Sequence, residues 1–480
     1  MTRHSRFRAA LLLAAALVVV LAAAVWADEP TPAQGEDSTP RIVGGVETEP
    51  GEYPFIAAVV FASEPSSYWG QFCAGSLIDP WWVMTAGHCV SFPEADRPWE
   101  IDVVIGRHDL RNGTDGERIG VADIFRHPGY DDSTLADDIA LLRLERPATA
   151  GTTIPLATPA DAALFEPGDI ATTIGWGFTK GSPPGTPGYP DKLREVDVPI
   201  VADADCTAAY GSEFMPPGQI CAGDLVNGGV DSCWGDSGGP LFVPSAGGFL
   251  HVGIVSTGND CALPGYPGIY TRTSTYTDWV NAVIAAHPLP TCRGLEATLL
   301  GSSGPDVLNG TAGDDVIVAR AGDDTIYGKG GNDVICAAEG SDWVDAGAGN
   351  DTVLGGPGND TILGGPGNYV LGGEGGSDQL FGGDGDDVLF GGLGPDTLRG
   401  EAGNDLIYGN EGADRIFGGD GDDVLFGGSG NDTMSGGAGD DTLTGDGGFD
   451  LLRGGADFDT CSGEDLAQCE VVRMGVKQPL

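Results

Sequence analysis

Two patterns of apolar and polar residues divide this chain of 480 residues. From Ile42 to Ala286, short apolar and β-branched runs, such as 55–61 and 101–105, alternate with segments rich in Gly, Pro, Asp and Asn. Runs of this length are typical of strands rather than helices. About a dozen of them follow one another, which predicts an all-β barrel or sandwich architecture for this region.

One helix is predicted at the end of this region, where apolar residues recur at helical spacing. Ser274 precedes them and is a suitable N-cap. The predicted apolar face consists of Tyr276, Trp279, Val280, Val283 and Ile284.

The second pattern is a nine-residue frame that runs without slippage from Gly301 to Ser462, giving 18 units in 162 residues. The fourth position is Gly in 17 of 18 units, with Asp457 as the exception, and the sixth is Asp in 17 of 18, with Tyr369 as the exception. The eighth position is apolar in every unit except the last, which has Cys461. Such regularity predicts a stacked repeat structure, and the alternative is a Gly-Asp-rich disordered spacer.

Composition narrows the choice of partners. The chain has 23 Lys and Arg against 71 Asp and Glu, a net charge of −48. A nucleic-acid-binding protein needs a basic surface to neutralise phosphates, so we expect no nucleic acid partner. Of the 81 glycines, 45 lie within 301–462, which confines the unusual composition to the repeats.

The N-terminus has the features of a secretory signal peptide. Three arginines within the first eight residues precede an uncharged stretch from Ala9 to Ala27, which ends in small residues before Asp28. An uncleaved anchor is the alternative, although an Ala-rich stretch is weakly hydrophobic for that purpose. We therefore predict a secreted, extracellular protein without stable membrane insertion, with a signal peptide at 1–27.

Ten cysteines in an exported chain indicate disulfides rather than a metal cluster. Sequence alone does not give their connectivity. Six belong to the front region, namely Cys73, Cys89, Cys206, Cys221, Cys233 and Cys261, and four lie in or beside the repeats, namely Cys292, Cys336, Cys461 and Cys469.

Three local strings of the front region carry chemistry: TAGHC around His88, DDIALLRL around Asp138 and DSCWGDSGGP around Ser237. A serine hydroxyl becomes a nucleophile when a histidine takes its proton, and a buried carboxylate orients that histidine. The backbone N–H groups of Gly235 and Ser237 could bind a developing oxyanion, and one such donor contributes about 3 to 4 kcal/mol. Asp137 is the alternative orienting carboxylate.

Taken together in this order, and with RIVGG at 41–45 and GWG at 175–177, these strings resemble the trypsin-like (chymotrypsin-fold) serine proteases over about 245 residues. The resemblance implies two six-stranded β-barrels with the active site between them. His88 would then be the general base, Asp138 its orienter and Ser237 the nucleophile, with Gly235 and Ser237 forming the oxyanion hole. The implied disulfides are Cys73–Cys89, Cys206–Cys221 and Cys233–Cys261.

The same resemblance implies a specificity pocket and an activation step. Asp231, followed by Ser232, would lie at the base of the pocket and favour Arg or Lys, because a buried charge requires a partner. Gly258 and Gly268 would form the walls, whereas Thr257 stands where the family usually has a tryptophan.

Residues 28–41 then resemble a propeptide. Cleavage after Arg41 would free the amine of Ile42 to pair with Asp236. Self-activation is a hypothesis, since the bond to be cut has Arg on its acyl side.

The repeats resemble the RTX nonapeptide, GGxGxDxUx, which implies a parallel β-roll that binds calcium between its turns. Carboxylate oxygens suit Ca²⁺, and glycines allow the loops to take left-handed conformations. Without calcium the region should be disordered. RTX proteins generally lack an N-terminal signal and cysteines, whereas this chain has both, with Cys292–Cys336 and Cys461–Cys469 as the expected pairs. The candidate calcium ligands are Asp315, Asp324, Asp333, Asp351, Asp360, Asp387, Asp396, Asp405, Asp423, Asp432 and Asp441.

We therefore predict a trypsin-like protease domain at 42–287, a linker at 288–300, a β-roll at 301–462 and a tail at 463–480. The expected function is a secreted serine endopeptidase that cleaves after Arg or Lys. It would be made as a zymogen and need no cofactor for catalysis, and calcium in the roll would serve stability or localisation. The expected partners are protein substrates and a surface or matrix ligand of the roll. The alternative is a calcium-dependent adhesion or structural protein with a protease-like head.

Overall fold

The structure is a computed structural model, and it describes residues 43–178 and 190–462. The predicted signal peptide, propeptide and tail, together with Arg41, Ile42 and Cys469, lie outside the described residues. Expectations about them are therefore carried forward as predictions.

Short strands dominate the front region, as the alternating pattern predicts. The strands are β1 Val46–Glu47, β2 Ile56–Phe61, β3 Gln71–Asp79, β4 Trp82–Thr85, β5 Ile101–Ile105, β6 Glu117–Arg126, β7 Ala140–Leu144, β8 Ile170–Gly175, β9 Arg194–Val201, β10 Gln219–Ala222, β11 Pro240–Ser245, β12 Gly248–Thr257 and β13 Gly268–Arg272.

These strands form two closed antiparallel barrels. The first has the order β2-β3-β4-β7-β6-β5 and is filled by apolar side chains from every strand. The second has the order β9-β10-β13-β12-β11-β8 and is closed by pairing of β8 with β9, while β1 adds to its edge. The predicted pair of six-stranded barrels is confirmed.

Helices are few and lie at the surface of the barrels. They are α1 Ser67–Gly70, α2 Asp203–Tyr210 and α3 Thr273–Ala286, with 3-10 turns at Gly87–Val90, Pro98–Glu100, Pro159–Leu164 and Gly211–Glu213. The predicted final helix is present, but its N-cap is Arg272, without a side-chain cap. The interpretation of Ser274 as the cap was wrong because the helix begins one residue before it. In the described ranges, no helix has the length and hydrophobicity needed to cross a bilayer.

The repeat region is a parallel β-roll, as predicted. Each strand pairs with the strand 18 residues further along, so that two nine-residue units make one turn. Two sheets of ten and nine strands result, and a separate two-stranded sheet, formed by Thr291–Cys292 and Leu295–Glu296, precedes them. The strands are β14 Thr291–Cys292, β15 Leu295–Glu296, β16 Leu299–Leu300, β17 Val307–Asn309, β18 Val316–Val318, β19 Thr325–Tyr327, β20 Val334–Cys336, β21 Trp343–Asp345, β22 Thr352–Pro357, β23 Thr361–Pro366, β24 Val370–Gly375, β25 Gln379–Asp384, β26 Val388–Leu393, β27 Thr397–Ala402, β28 Leu406–Glu411, β29 Arg415–Asp420, β30 Val424–Ser429, β31 Thr433–Ala438, β32 Thr442–Gly447, β33 Leu451–Ala456 and β34 Thr460–Ser462.

The core of the roll is a thin layer made by the eighth residue of each unit. Ile326, Leu389 and Leu425 are representative, and each is completely buried between the two sheets. The residues on either side of the eighth position face outward. Because this layer is only one side chain thick on each sheet, apolar burial alone gives the roll little stability, and the turns must contribute.

The roll packs directly against the first barrel. The guanidinium of Arg320 forms two hydrogen bonds to the carboxylate of Asp123, at 2.8 and 2.9 Å. The amide of Leu300 donates to the Glu145 carbonyl at 2.6 Å. A disulfide joins Cys292 to Cys336, as expected. The segment interpreted as a linker, 288–300, thus contains short strands and takes part in this junction.

Candidate active site and aspartate ladder

The centre of the front region is a contact between a histidine and a buried carboxylate. His88 lies in the 3-10 turn after β4, and Asp138 lies just before β7, its strand partner in the first barrel. His88 Nδ1 is 2.8 Å from Asp138 Oδ2, and the His88 amide donates to Asp138 Oδ1 at 2.8 Å. The pairing of these two strands therefore brings together residues 50 positions apart.

Asp138 is held from both sides. The Ser256 hydroxyl donates to Asp138 Oδ2 at 2.6 Å, and the Thr271 hydroxyl donates to its carbonyl at 2.7 Å. Asp137, the alternative orienter, instead accepts a hydrogen bond from the Tyr276 hydroxyl at 2.7 Å. The structure thus places Asp138, and not Asp137, against His88.

Two opposing effects set the pKa of His88. Burial disfavours the imidazolium, but the charge and hydrogen bond of Asp138 favour it more strongly, so the pKa of His88 is raised above its ordinary value. Nδ1 is occupied by Asp138, which leaves Nε2 to exchange a proton with a substrate or nucleophile.

Ser237 follows a tight turn that enters β11, and it lines the same cavity as His88. The turn requires Gly238, because its φ is +83° and an added Cβ would lie 2.2 Å from Thr85 Oγ1. In the described part of the chain, no hydrogen bond joins the Ser237 hydroxyl to His88. Such contacts often tighten only when substrate binds.

The amides around Ser237 divide into two groups. Those of Asp236, Gly238 and Gly239 donate to backbone carbonyls. Those of Gly235 and Ser237 donate to no atom of the described residues, and the Gly235 carbonyl is fixed by Gln71 Nε2 at 2.7 Å. The two free donors are the pair that the sequence predicted for an oxyanion hole.

A cavity of about 280 Å³ extends from His88 and Ser237 to a buried carboxylate. That carboxylate is Asp231, which is 3% exposed. Its Oδ2 accepts from the Ala262 amide at 3.1 Å, whereas its buried Oδ1 has no partner among the described residues. Burial raises the pKa of Asp231 to about 7. An unpaired carboxylate oxygen at the base of a cavity is suited to bind a cation that enters from outside.

The predicted wall residues contribute differently. A Cβ added at Gly268 would lie 2.5 Å from Asp231 Oδ1, so glycine is required there, whereas one at Gly258 would meet nothing closer than 3.5 Å. Ser232 lies beside Asp231, with its hydroxyl 3.2 Å from that of Tyr270. Thr257 is exposed at the rim. Trp234, which the sequence did not single out, also lines the cavity and is 55% exposed.

Asp236, the predicted partner of the Ile42 amine, is completely buried. Its oxygens accept from the amides of Gly177, at 2.7 Å, and Cys233, at 2.9 Å. Burial raises the pKa of Asp236 to about 7, so it would be stabilised by a cation. Val43 lies beside this cavity, because the Asp231 amide donates to the Val43 carbonyl at 3.2 Å.

Disulfides brace these loops. The structure contains Cys73–Cys89 beside His88, Cys206–Cys221 and Cys233–Cys261, the pairs that the resemblance implied. Cys461 lies in the last described strand, whereas its expected partner Cys469 lies outside the described residues, so that pairing stays a prediction.

In the roll, the sixth residues of the units form two columns, here called the aspartate ladder. From Asp324 onward, the Oδ1 atom of each carboxylate accepts from the amide of the residue 18 positions earlier, as between the Asp387 amide and Asp405 Oδ1 at 2.8 Å. The Oδ2 atoms are buried and have no partner among the described residues. Those with an unpaired Oδ2 are Asp324, Asp333, Asp342, Asp351, Asp360, Asp378, Asp387, Asp396, Asp405, Asp414, Asp423, Asp432, Asp441 and Asp459.

The unpaired oxygens face spaces that fit a hard cation. A Cβ added at Gly382 would lie 2.2 Å from Asp387 Oδ2 and 2.7 Å from the Gly400 carbonyl oxygen. The same arrangement recurs at Gly391 with Asp396 and the Gly409 carbonyl. Each glycine thus leaves a space bordered by carboxylate and carbonyl oxygens, the ligands that Ca²⁺ prefers. Bound calcium would neutralise these carboxylates and join successive turns.

Two groups of residues depart from the predicted ligand set. Asp315 does not fit, because its Oδ2 accepts from the amide and hydroxyl of Thr311, at 2.6 and 2.9 Å. Asp342, Asp378, Asp414 and Asp459 were not among the candidates, but each occupies the sixth position and has an unpaired Oδ2, so we add them as candidates.

Tyr369 interrupts one column of the ladder. It is 1% exposed, and its hydroxyl donates to the Gly347 carbonyl at 2.6 Å. A Cβ added at Gly364 would lie 2.9 Å from the Tyr369 ring, where the corresponding glycines meet a carboxylate oxygen, so the ring occupies the space that a carboxylate leaves open elsewhere.

The two closed barrels, with a histidine-carboxylate pair and a serine sharing one cavity between them, define a serine protease of the two-barrel class. The Trypsin family model matches residues 42–280. The model of the RTX calcium-binding nonapeptide repeat matches six stretches within residues 300–461. Trypsin-1 of Astacus astacus is 38% identical over 243 residues, which cover 50% of this chain and 99% of that protein. The chain therefore belongs to the trypsin family, and RTX calcium-binding repeats follow its trypsin domain.

Replacing Asp138 by Asn should lower kcat/KM for peptide hydrolysis by about 10⁴-fold, because the amide no longer fixes the productive tautomer of His88. The acidic limb of the pH–rate profile should also move to lower pH, since the carboxylate raises the pKa of His88. Steady-state kinetics across the neutral range measure both effects. Asp137→Asn is the matched control, and an equal loss in that variant would contradict the assignment.

Replacing Gly382 by Ala should weaken calcium-dependent folding of the roll by about 1–3 kcal/mol, because the added methyl group overlaps Asp387 Oδ2. Circular dichroism during a calcium titration should show a higher midpoint for this variant. Gly375→Ala is the control, since a Cβ there meets nothing within 4 Å. Identical titrations for both variants would show that this space is not a calcium site.

Proposed function

We propose that this protein is a secreted serine endopeptidase that hydrolyses peptide bonds after Arg or Lys. The observation that carries the proposal is the unpaired Oδ1 of Asp231 at the base of the cavity below His88 and Ser237. A guanidinium or ammonium group would supply the missing partner, whereas an apolar side chain would leave a carboxylate buried and unpaired. Gly268 supports the proposal because any larger residue would place its Cβ 2.5 Å from Oδ1, in the space beside the carboxylate.

In the proposed reaction, His88 Nε2 accepts the proton of the Ser237 hydroxyl as its oxygen attacks the substrate carbonyl. Asp138 stabilises the resulting imidazolium through Nδ1. The amides of Gly235 and Ser237 donate to the oxyanion, and His88 then returns the proton to the leaving amine. Hydrolysis of the acyl-enzyme repeats these steps with water as the nucleophile.

The enzyme is proposed to be made as a zymogen. Cleavage between Arg41 and Ile42 would create an amine that pairs with the buried Asp236, whose described partners are two backbone amides. Pairing would lower the pKa of Asp236 and hold the turn that carries Gly235 and Ser237. The bond to be cleaved follows Arg41, and Arg is a residue that the pocket is proposed to bind, which supports self-activation.

The roll is proposed to stabilise the protease when calcium is bound, or to localise it. Its first turns are tied to the first barrel by the Arg320–Asp123 pair, and Cys292–Cys336 ties them to the segment that follows α3. Order in the roll therefore supports the barrel strand that carries Asp123. The disulfides, the repeats and the trypsin domain fit an extracellular protein, and secretion would follow from the predicted signal peptide.

Replacing Asp231 by Ser should reduce kcat/KM for arginyl peptide substrates by roughly 100- to 5,000-fold, because removing one member of a buried ion pair costs about 3–5 kcal/mol. Activity on substrates with an apolar residue at the same position should not fall. Asp260→Asn is the matched control, since Asp260 also lines the cavity but is exposed. Equal activity of the Asp231 variant and the wild type on arginyl peptides would refute the specificity.

The mature protein should begin at Ile42. Replacing Arg41 by Gln should prevent that cleavage, because the pocket is proposed to bind Arg or Lys at this position. A Ser237→Ala precursor should remain uncleaved if the enzyme activates itself. N-terminal sequencing of the three secreted proteins distinguishes these outcomes. Processing of the Ser237 variant at the same bond would assign activation to another protease.

A further inference from the structure

The roll has few basic residues, and among the described residues most of them form no ion pair. Residues 301–462 contain five Lys or Arg. Arg320 pairs with Asp123, and Lys329 Nζ donates to the Gly310 carbonyl at 2.7 Å. The other three, Arg399, Arg415 and Arg453, are exposed and form no ion pair within the described part of the chain.

These three arginines lie on one surface. Arg399 is in β27, Arg415 in β29 and Arg453 in β33, all strands of the nine-stranded sheet. Each is adjacent to a buried eighth-position residue and therefore points away from the core. Arg399 and Arg453 occupy the same column and are three strands apart, about 14 Å at ~4.8 Å per strand. Arg415 lies between them on the neighbouring column.

The outward positions on either side of the eighth residue carry no acid in these strands, although the exposed Glu401 lies two residues beyond Arg399 in β27. The outward residues of β25, β27, β29, β31 and β33, here called the arginine face, are Gln379, Phe381, Thr397, Arg399, Arg415, Phe417, Thr433, Ser435, Leu451 and Arg453. The nearest acids on these strands, Asp384, Glu401 and Asp420, come after the glycines at the turn. In a protein with a net charge of −48, the arginine face is thus a narrow strip of positive charge that these three acids border.

One guanidinium is held in place by aromatic rings. The strand register puts Arg399 opposite Phe381 on one side and Phe417 on the other. Its guanidinium lies 4.6 Å from the centroid of the Phe417 ring. Such a contact orients the charge outward without neutralising it. The face thus offers fixed positive charge beside apolar ring surface.

We propose that the arginine face binds a linear acidic polysaccharide. A single extended polyanion can lie across the successive strands of the sheet. Its sulfate or carboxylate groups can then contact the three guanidiniums. The rings of Phe381 and Phe417 can contact the apolar faces of sugar rings. A bilayer or a nucleic acid duplex would also bring anionic groups against Asp384, Glu401 and Asp420 at the edge of the face, so repulsion disfavours these broader partners.

The test uses the full mature chain, loaded with calcium, and compares R399Q/R415Q/R453Q with the wild type. The probes are dextran sulfate, polygalacturonate and uncharged dextran, with anionic vesicles and duplex DNA as further arms. R97Q/R111Q/K192Q is the matched control, because it removes the same charge from exposed positions on the barrels. Kd values at several salt concentrations are measured together with thermal unfolding. The three single variants are included in case the triple variant unfolds.

We expect the wild type to bind one or both acidic polysaccharides but not dextran, with an affinity that falls as salt rises. The triple variant should bind at least tenfold more weakly, each single variant about two- to threefold more weakly, and the control variant like the wild type. Undiminished binding by the triple variant would overturn the proposal and indicate calcium bridging between acids. Absence of polysaccharide binding by the wild type, or binding only to vesicles or DNA, would overturn it as well.

Discussion

A carboxylate that folding removes from water needs a cation or several hydrogen-bond donors, and this requirement links the trypsin domain to the roll. Asp138 pairs with the imidazole of His88, which can carry a positive charge, and it accepts a hydrogen bond from the Ser256 hydroxyl. Asp236 has two backbone amides. Asp231 and most of the aspartate ladder are left with one oxygen unpaired. The satisfied carboxylates organise the catalytic loops, and the unsatisfied ones identify the places where a ligand must complete the structure.

Asp231 and the ladder carboxylates differ in how their unpaired oxygens affect folding. Asp231 is a single group at the base of an open cavity, so the barrels can fold around it and leave it for a substrate. The ladder carboxylates recur at every turn of the roll, and the apolar layer of the roll is thin. The combined free-energy cost of burying these unpaired oxygens therefore opposes folding of the roll. Arg320 attaches the first turns of the roll to the first barrel, and Cys336 attaches them to the segment after α3. Calcium in the roll can therefore influence the protease although no ladder aspartate lines its cavity.

Much of this structure could be predicted from local strings. The triad residues are separated by 50 positions and more, but each lies in a motif of a few residues, and the nine-residue frame defines every turn of the roll. Contacts without a local signal could not be predicted. Arg320 and Asp123 are 197 positions apart, and the Thr311 hydroxyl that satisfies Asp315 depends on the shape of the first turn. The arginine face could not be predicted from the sequence either. Its residues are scattered among the units and become neighbours only when alternate units stack into one sheet.

A crystal structure of the mature chain with calcium and an aromatic amidine would show whether cations pair with these unsatisfied carboxylates. We predict the amidinium within hydrogen-bond distance of Asp231 Oδ1 and calcium ions against the Oδ2 atoms of the ladder, with a gap at Tyr369. An empty specificity cavity, or ladder carboxylates satisfied by water or by each other in saturating calcium, would contradict it.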